Sequence, residues 1–390
     1  MRPSLDARRR FPLVVIIVAA LAILCTAPSN AQPIEAIEHG LEIRLPGQAA
    51  GETIDLAEAL RTLHIPSVDV AVIDNGHVVW FRTFGGAPTN AIYQAASLSK
   101  LVTAVAALRL VDRGVLDLDR NVNDDLTAWR VPENEWTRTR PVTLRGLLSM
   151  TAAIGVPGYL GYEPGAPVPT LRQILDGAPP ANSEPVRVEA LPGSRYAYSG
   201  GGYEIVQALI EAATKMRFQD ALEQLVLKPA AMPNSTFLQP LPVEFARRAA
   251  TGHDASGKEL PGGWRIIPEL AAGGLWSSAT DLAHLLLALE RSYRGEPDAL
   301  LARATAHAMM TQQNGGPYGL GGAVDGLGQN RALMKRGQNI GYQSYTLLFP
   351  ATGQGIVVLT GSDNGTTLAT ALVRRAADAY RWPHLGPLRD

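Results

Sequence analysis

The chain has 390 residues, of which 46% are hydrophobic and 18% charged, and its 35 Lys and Arg nearly balance its 36 Asp and Glu. This length allows one large domain or two intermediate ones, and the near-zero net charge argues against nucleic acid as a partner. The single cysteine excludes a disulfide framework and any cysteine-based zinc or iron–sulfur site.

The first 31 residues have the pattern of a signal peptide. Arginines at 2 and 8–10 form a basic start, an apolar run covers residues 11–24, and Ser29-Asn30-Ala31 offers small residues for cleavage after Ala31. An apolar run of this length is short for a membrane span, although an uncleaved anchor stays an alternative, and both the general secretory and twin-arginine routes are open. We expect a periplasmic or secreted protein with no stable membrane anchor after cleavage.

The pattern after the signal peptide predicts an irregular lead-in over residues 32–52 and one domain over residues 53–390. An Asn-Gly pair at 75–76 supplies the positive φ angles of a tight hairpin turn. Apolar periodicity predicts, in chain order, a helix over 53–63, strands over 68–73 and 77–84, and an Ala-rich helix over 98–111.

The middle of the domain is rich in Pro and Gly, and strand patterns return only near its end. The predicted elements are helices over 142–150, 171–175, 203–213 and 218–227, strands over 344–349 and 355–360, and a last helix over 366–380. Strands at both ends indicate a sheet completed by the two ends of the chain. The mostly helical middle, about 130–270, would be an inserted lobe, with a ligand cleft between the two parts.

The first candidate catalytic motif is Ser97-Leu98-Ser99-Lys100, at the start of the Ala-rich helix. Residues three apart share a helix face, so the Ser97 hydroxyl and the Lys100 amine can meet. A lysine whose pKa is lowered can take the proton of a serine nucleophile, and the backbone N–H of Ser97 can face a developing oxyanion. The alternative is a helix-capping serine followed by a solvated lysine.

Two later segments are candidate partners of this motif. Tyr198 lies in a turn-rich stretch before a helix, where its phenol could shuttle a proton. Lys335-Arg336-Gly337 is predicted to be an edge strand lining the cleft, in which the ammonium stabilises a tyrosinate or holds a substrate carboxylate and the glycine admits a close approach of the substrate. A packing tyrosine and an ordinary basic strand end are the alternatives.

Together, the motifs that begin at Ser97, Tyr198 and Lys335 resemble those of the penicillin-recognising serine hydrolases. The tyrosine version is similar to the class C β-lactamase branch, which includes D,D-carboxypeptidases, D-aminopeptidases and esterases. The resemblance extends over roughly 54–380. It implies an α/β fold, in which an antiparallel sheet built from both chain ends is flanked by helices, with a helical lobe.

The same resemblance implies the roles of the site residues. Ser97 would be the acyl-forming nucleophile, Lys100 and Tyr198 the base and the proton shuttle, and Lys335 the substrate-side wall together with Gly337. The backbone N–H groups of Ser97 and Gln338 would form the oxyanion hole, and the substrate would be a small molecule or peptide with a cleavable amide or ester.

Two residues depart from the family pattern. Gly200 stands where an asparagine is common, so no side-chain amide is present to bind a substrate amide. Arg336 replaces a Thr or Ser, which removes a hydroxyl donor and adds a guanidinium for an acidic substrate group. These departures favour carboxypeptidase-like or esterase-like activity over efficient β-lactam cleavage. The alternative function is a non-catalytic ligand sensor or cell-wall scaffold.

Other motifs in the sequence are weaker. Ser362-Asp363-Asn364 matches a middle motif of class A enzymes, but it follows Lys335 and is predicted to be a turn. Residues 252–258 match part of a phosphate loop but lack its final Ser or Thr. The seven histidines do not form an H-E-x-x-H motif, so the sequence predicts no metal site and no cofactor.

Overall fold

The computed structural model describes residue 35, residues 37–44 and residues 51–383. The predicted signal peptide and its cleavage site lie outside these residues. Within them, no helix combines the length and the apolar composition that a membrane crossing requires.

Among the described residues, five strands have seven to nine residues and five have two or three. In chain order they are β1 (Leu41–Ile43), β2 (Glu52–Ile54), β3 (Ser67–Asp74), β4 (His77–Gly85), β5 (Tyr93–Gln94), β6 (Trp276–Ser277), β7 (Ala323–Asp325), β8 (Ala332–Asn339), β9 (Tyr342–Phe349) and β10 (Gln354–Thr360).

Four of the described helices have 15 or 16 residues, and the others are shorter. The helices are α1 (Leu56–Thr62), α2 (Leu98–Asp112), α3 (Glu135–Thr139), α4 (Leu144–Leu148), α5 (Leu171–Asp176), α6 (Gly200–Thr214), α7 (Phe218–Leu222, continued by a π-helical turn over Glu223–Leu227), α8 (Val243–Ala246), α9 (Leu270–Gly273), α10 (Ala279–Arg294), α11 (Arg303–Met309) and α12 (Gly365–Ala379).

A six-stranded antiparallel sheet unites the two ends of the domain, which confirms the predicted fold class. Its strand order is β4-β3-β10-β9-β8-β7, so the N-terminal hairpin pairs directly with the C-terminal strands. Strand β9 is buried along its whole length. Because alternate side chains of a strand point to opposite faces, helices must cover both faces of the sheet here, and α2, α10 and α12 all contact β9. The hairpin turn at Asn75 and Gly76 has the predicted positive φ angles.

The predicted irregular lead-in over 32–52 is wrong in part, because β1 and β2 form a two-stranded antiparallel sheet. Leu41 and Ile43 alternate with an exposed glutamate and are buried, which explains why this short segment pairs. The pairing holds residues up to Ile54 in a strand, so the helix predicted from residue 53 begins only at Leu56.

Helix α10 lies under β3 and β10 and was not among the predicted helices. Its start carries a recognisable signal, since the Ser278 side chain accepts a hydrogen bond from the backbone N–H of Asp281 and so caps the helix. Between β5 and β6, residues 95–275 contain α2 to α9 and no sheet strand. Strands β5 and β6 pair with each other and therefore join the entry and the exit of this helical part.

Candidate active site

Helix α2 begins in a tightly held turn that presents Ser97 to a cavity. Ala96, directly before Ser97, has a φ of 50°, a left-handed conformation that costs a non-glycine residue free energy. The turn is fixed on both sides, because Ser99 Oγ donates to the Ala96 carbonyl at 2.6 Å and Ser344 Oγ donates to the Ala95 carbonyl at 2.7 Å. The serine is therefore preorganised before any substrate arrives.

Lys100 lies one helical turn after Ser97, as the sequence predicted, and is only 2% exposed. Its amine donates to Ser97 Oγ at 3.1 Å and to the Ala272 carbonyl at 2.8 Å. Burial lowers the pKa of Lys100, and the positive charge of Lys335 lowers it further. A lowered pKa lets the lysine lose its proton more readily, and the neutral amine is the form that can accept a proton. The solvated lysine of the alternative interpretation is wrong.

Tyr198 comes from the loop before α6 and completes the contacts of Ser97 Oγ. Its hydroxyl donates to Ser97 Oγ at 2.9 Å and accepts a hydrogen bond from the Lys335 amine at 3.1 Å. Burial raises the pKa of the phenol, but the charges of Lys100 and Lys335 outweigh burial and bring it down to about 7. The loop is anchored by the Ala197 N–H, which donates to the Met150 carbonyl at 2.8 Å.

Lys335 is buried in β8 and binds two tyrosines. Besides Tyr198, its amine donates to the hydroxyl of Tyr318 at 3.2 Å. Burial lowers the pKa of Lys335, but its interactions with Tyr198 and Tyr318 outweigh burial and raise the pKa overall, so the ammonium form is maintained. Tyr318 was missed at the sequence level, because a tyrosine between Pro317 and Gly319 gives no signal beyond a turn.

Strand β8, which contains Lys335, Arg336 and Gly337, was predicted to be an edge strand, and this holds only for residues 335–339. Strand β7 is the edge of the sheet and pairs with residues 332–334 of β8. From Lys335 to Asn339, β8 pairs with β9 on one side. On its other side, this part of β8 pairs with no described strand and passes the start of α2. Gly337 therefore lies next to Ser97.

Only a glycine fits at position 337. A Cβ atom there would lie 2.3 Å from Ser344 Oγ, 2.7 Å from the Ala95 carbonyl oxygen and 2.8 Å from the backbone nitrogen of Ser97. The strand backbone can therefore approach the nucleophile, and the Ser97 N–H stays clear of side-chain atoms from this position. Gln338, the next residue, is exposed and lines the same cavity.

We expect Gly337→Ala to lower the stability of the protein and to slow its acylation. The added methyl group has no room, so the free energy of unfolding should fall by about 1–3 kcal/mol. Displacement of the Ser97 N–H should slow acylation by about 10²–10³-fold, as loss of one oxyanion-hole donor does. Gly158→Ala is the matched control, because Gly158 also lines the cavity but a Cβ there meets no atom within 4 Å. Denaturant unfolding measures the change in stability, and acylation rates measure the change in activity. Equal stability and equal acylation rates of the two variants would contradict the interpretation that position 337 requires a glycine.

Gly200 does not line the cavity, so its predicted place among the substrate-binding residues needs correction. It is the first residue of α6 and is buried beneath the segment 157–159. A Cβ at this position would lie 3.0 Å from the Tyr159 ring and 3.3 Å from the Pro157 carbonyl oxygen. The Tyr159 ring thus occupies the side on which a larger residue would project.

The cavity has a volume of about 380 Å³, and Ser97 is one of the residues that line it. Its wall is aromatic and cationic, and the Arg336 side chain is half-buried, with its guanidinium 5.2 Å from the ring centre of Tyr345. The lining residues are Ser97, Pro157, Gly158, Tyr196, Tyr198, Tyr318, Ala323, Met334, Lys335, Arg336, Gly337, Gln338, Gln343 and Thr366.

The remaining sequence motifs lie away from this cavity. Ser362-Asp363-Asn364 forms the predicted turn before α12, where Asn364 Nδ2 donates to the Leu63 carbonyl at 2.7 Å. In the described ranges, no three His, Cys, Asp or Glu side chains are grouped so that they could hold a metal ion.

Comparison with known proteins identifies the family to which the chain belongs. The family model described as Beta-lactamase matches residues 53–381. Penicillin-binding protein 4 of Amycolatopsis lactamdurans is 27% identical over 345 residues, which cover 81% of this chain and 86% of that protein. Protein flp of Staphylococcus aureus strain MW2 is 25% identical over 320 residues, 76% of this chain, and the match spans only 59% of flp.

A solved structure gives the same result. The octameric penicillin-binding protein homologue from Pyrococcus abyssi is 25% identical, with a TM-score of 0.66, and the match covers 82% of this chain and 76% of that one. Since the family model extends over well more than half of the sequence, the chain belongs to the Beta-lactamase family of serine hydrolases.

Proposed function

We propose that the protein cleaves an amide or ester through an acyl-enzyme on Ser97. The observation that carries the proposal is the double contact of one hydroxyl: Ser97 Oγ lies 3.1 Å from the Lys100 amine and 2.9 Å from the Tyr198 hydroxyl. Both neighbours have lowered pKa values, which favours either of them as the acceptor of the Ser97 proton. A serine that merely caps a helix needs neither group.

In the acylation step, Ser97 Oγ attacks the substrate carbonyl carbon while its proton passes to the Lys100 amine or to the Tyr198 phenolate. Negative charge then develops on the carbonyl oxygen, next to the Ser97 N–H at the start of α2. Tyr198 lines the cavity beside Ser97 and delivers the proton to the leaving nitrogen or oxygen as its bond to the carbonyl carbon breaks.

Deacylation reverses the order of proton transfers. A water molecule gives its proton to the same Lys100–Tyr198 pair and attacks the acyl carbonyl, and the bond to Ser97 Oγ then breaks as Ser97 regains a proton. Lys335 stays an ammonium throughout. It holds Tyr198 in place and stabilises the phenolate that forms when the phenol gives up its proton.

We propose that the preferred substrates carry an acidic group, as expected from the Arg336 substitution. Arg336 is one of the residues that line the cavity, and it directly precedes Gly337, which lies beside the nucleophile. An arginine binds a carboxylate through two parallel hydrogen bonds and keeps its charge at all relevant pH values. A carboxypeptidase-like or carboxylate-bearing ester substrate fits this wall better than a neutral one.

We expect Arg336→Ala to raise KM about 5–50-fold for a substrate with a free carboxylate, because one charge-assisted contact is lost. The same variant should leave KM unchanged for the methyl ester of that carboxylate. Arg336→Lys keeps the charge but not the paired donors. Its KM for the carboxylate substrate should lie between those of the wild type and Arg336→Ala. Steady-state kinetics on the two matched substrates decides, and an equal rise in KM for both would remove Arg336 from substrate selection.

The proposed function is tested by covalent labelling. The folded protein is incubated separately with a fluorescent penicillin and a fluorophosphonate, and the adduct is mapped by mass spectrometry. An adduct on Ser97 supports the proposal, whereas no adduct from either probe favours the ligand sensor or scaffold. Hydrolysis of nitrocefin, an aryl ester and a D-Ala-D-Ala peptide then ranks the possible activities, and we expect nitrocefin to be the poorest substrate.

We also propose that the protein is exported. The pattern of the first 31 residues supports this proposal, and N-terminal sequencing of the protein recovered outside the cytoplasm tests it. A mature protein that begins at Gln32 is expected, and a protein that keeps its first residues and stays in the cytoplasm would contradict export.

A further inference from the structure

One glutamine in the cavity wall has a hydrogen-bond donor that no described residue uses. Gln343, the second residue of β9, is only 5% exposed and lines the cavity. Its side-chain oxygen Oε1 accepts a hydrogen bond from the Thr366 hydroxyl at 3.0 Å, and its backbone carbonyl accepts one from the Thr360 hydroxyl at 3.2 Å. Its Nε2 donates to none of the described residues. A largely buried amide donor without a partner is costly, so an acceptor for it has to be sought.

The start of α12 holds this amide in place. A Cβ atom at Gly365 would overlap Thr360 Oγ1 and lie 2.6 Å from Gln343 Cβ, so a glycine is needed for the helix to approach β9 and β10 this closely. Thr366, the next residue, is thereby brought to Gln343 Oε1. Because the Thr366 hydroxyl binds the oxygen end of the amide, the nitrogen end is the one left for a ligand.

Gln343 and Arg336 lie on the same face of the β8–β9 pair. Gln343 is directly opposite Gln338, which is two residues from Arg336 along β8. Opposite residues of an antiparallel pair share a face, as do residues two apart on one strand. All three residues line the cavity. The Cβ atoms of a diagonal pair such as Arg336 and Gln343 are about 7–8 Å apart, a distance that two long side chains can span around one ligand group.

The chemistry of this face selects for a ligand group with acceptors. Arg336 offers only donors and a positive charge, and Gln343 adds the donor Nε2 while its oxygen is bound by Thr366. No Asp or Glu is among the described residues that line the cavity. A carboxylate has two acceptor oxygens and can meet both donors. A carboxamide of the same shape has one acceptor, and its NH₂ group would face a donor.

We propose that Gln343 is a specificity-determining residue, whose Nε2 donates to the acidic group that Arg336 binds, and that Thr366 is its positioning residue. Gln343 then distinguishes a carboxylate from its carboxamide, whereas the charge of Arg336 distinguishes it from a neutral ester. The inference rests on the proposed function for the place and the acidic nature of the ligand. It does not depend on the acyl-enzyme step.

The first test measures binding and needs no turnover. In the Ser97→Ala variant, calorimetry compares N-acetyl-D-alanine, which has a free carboxylate, with N-acetyl-D-alaninamide, its carboxamide. We expect the acid to bind about 10–100-fold more tightly, since hydrogen bonds to a charged group are the stronger ones. Adding Gln343→Glu keeps an oxygen for Thr366 but replaces the donor by an anionic oxygen. The affinity for the acid should then fall about 50-fold or more through like-charge repulsion, while that for the carboxamide changes less than about threefold because its NH₂ group gains an acceptor.

Gln219→Glu is the matched control, because it makes the same substitution in α7, outside the cavity, and should leave the preference for the acid unchanged. An equal loss of affinity for both probes in Gln343→Glu would overturn the inference, as would equal binding of the two probes by the parent variant. Selective binding of the acid by a protein whose Ser97 no covalent probe labels would contradict the proposed function and still support the role of Gln343.

The second test addresses the role of Thr366 with the same binding assay. Thr366→Val removes the hydroxyl but keeps the shape, so the acid should bind about 3–10-fold less tightly, whereas Thr366→Ser should bind it like the parent variant. Combined with Gln343→Met, Thr366→Val should cause no further loss, because a residue that acts through Gln343 then has nothing to position. The same loss with and without Gln343 would overturn the positioning role, and so would a lower Tm of Thr366→Val with an unchanged preference for the acid.

Discussion

Replacement of Lys100 by methionine is expected to slow acylation by about 10³–10⁴-fold, the upper range for loss of a general base. The physical reason is the environment of the amine: burial and the charge of Lys335 lower its pKa, so it gives up its own proton more readily than an exposed lysine and can act as the base. Methionine is unbranched and fills similar space, so the packing of α2 against α6 and α9 should survive. The rate of labelling by a fluorophosphonate measures the effect.

The control for this prediction is Lys228→Met, which removes a lysine whose side chain is 71% exposed and pairs weakly with Glu223. We expect that variant to label at the wild-type rate. Circular dichroism and thermal unfolding establish that both variants are folded. Labelling of folded Lys100→Met at the wild-type rate would remove the lysine from the mechanism and leave Tyr198 as the sole base.

Much of the fold was predictable because it depends on local patterns. The strands β3, β9 and β10 each contain an apolar run, over 70–73, 347–349 and 356–359. The turn at Asn75 and Gly76 requires positive φ, and a glycine follows the end of the apolar helix α2. Each of these signals is contained in a few neighbouring residues. The β1–β2 pairing was not predictable in this way, because it joins two three-residue segments, neither of which has a strand signal of its own.

The site shows the same division between local and long-range information. The spacing of Ser97 and Lys100 predicted their contact, since one helical turn brings them together. That Tyr198 reaches Ser97 Oγ, and that Lys335 reaches the Tyr198 hydroxyl, follows from the fold and not from spacing. The sequence offered both residues as candidate partners, and the family resemblance assigned them to one site. Tyr318 carries no motif at all.

The expected result for Tyr198→Phe is a loss of turnover of about 10²–10⁴-fold, the usual size of an acid/base contribution. The phenol has a pKa of about 7 and donates to Ser97 Oγ, so the wild-type acylation rate should rise with pH and level off above about 7 as the phenolate forms. Phenylalanine keeps the ring that lies against Lys335 but cannot carry the proton. The variant should therefore lose the titration near pH 7 as well as the rate, and a pH–rate profile measures both.

The Tyr318→Phe variant tests whether the effect of Tyr198→Phe comes from the lost proton transfer or only from the loss of a hydroxyl group. The Tyr318 hydroxyl binds the same Lys335 amine at 3.2 Å, and the Tyr198 hydroxyl additionally contacts Ser97. We expect Tyr318→Phe to cost less than about tenfold, since it removes one neutral acceptor from an ammonium that keeps Tyr198. If both variants lost the same activity, the tyrosines would serve only to hold Lys335. If Tyr198→Phe kept the wild-type rate and its pH dependence, Lys100 alone would have to move the Ser97 proton.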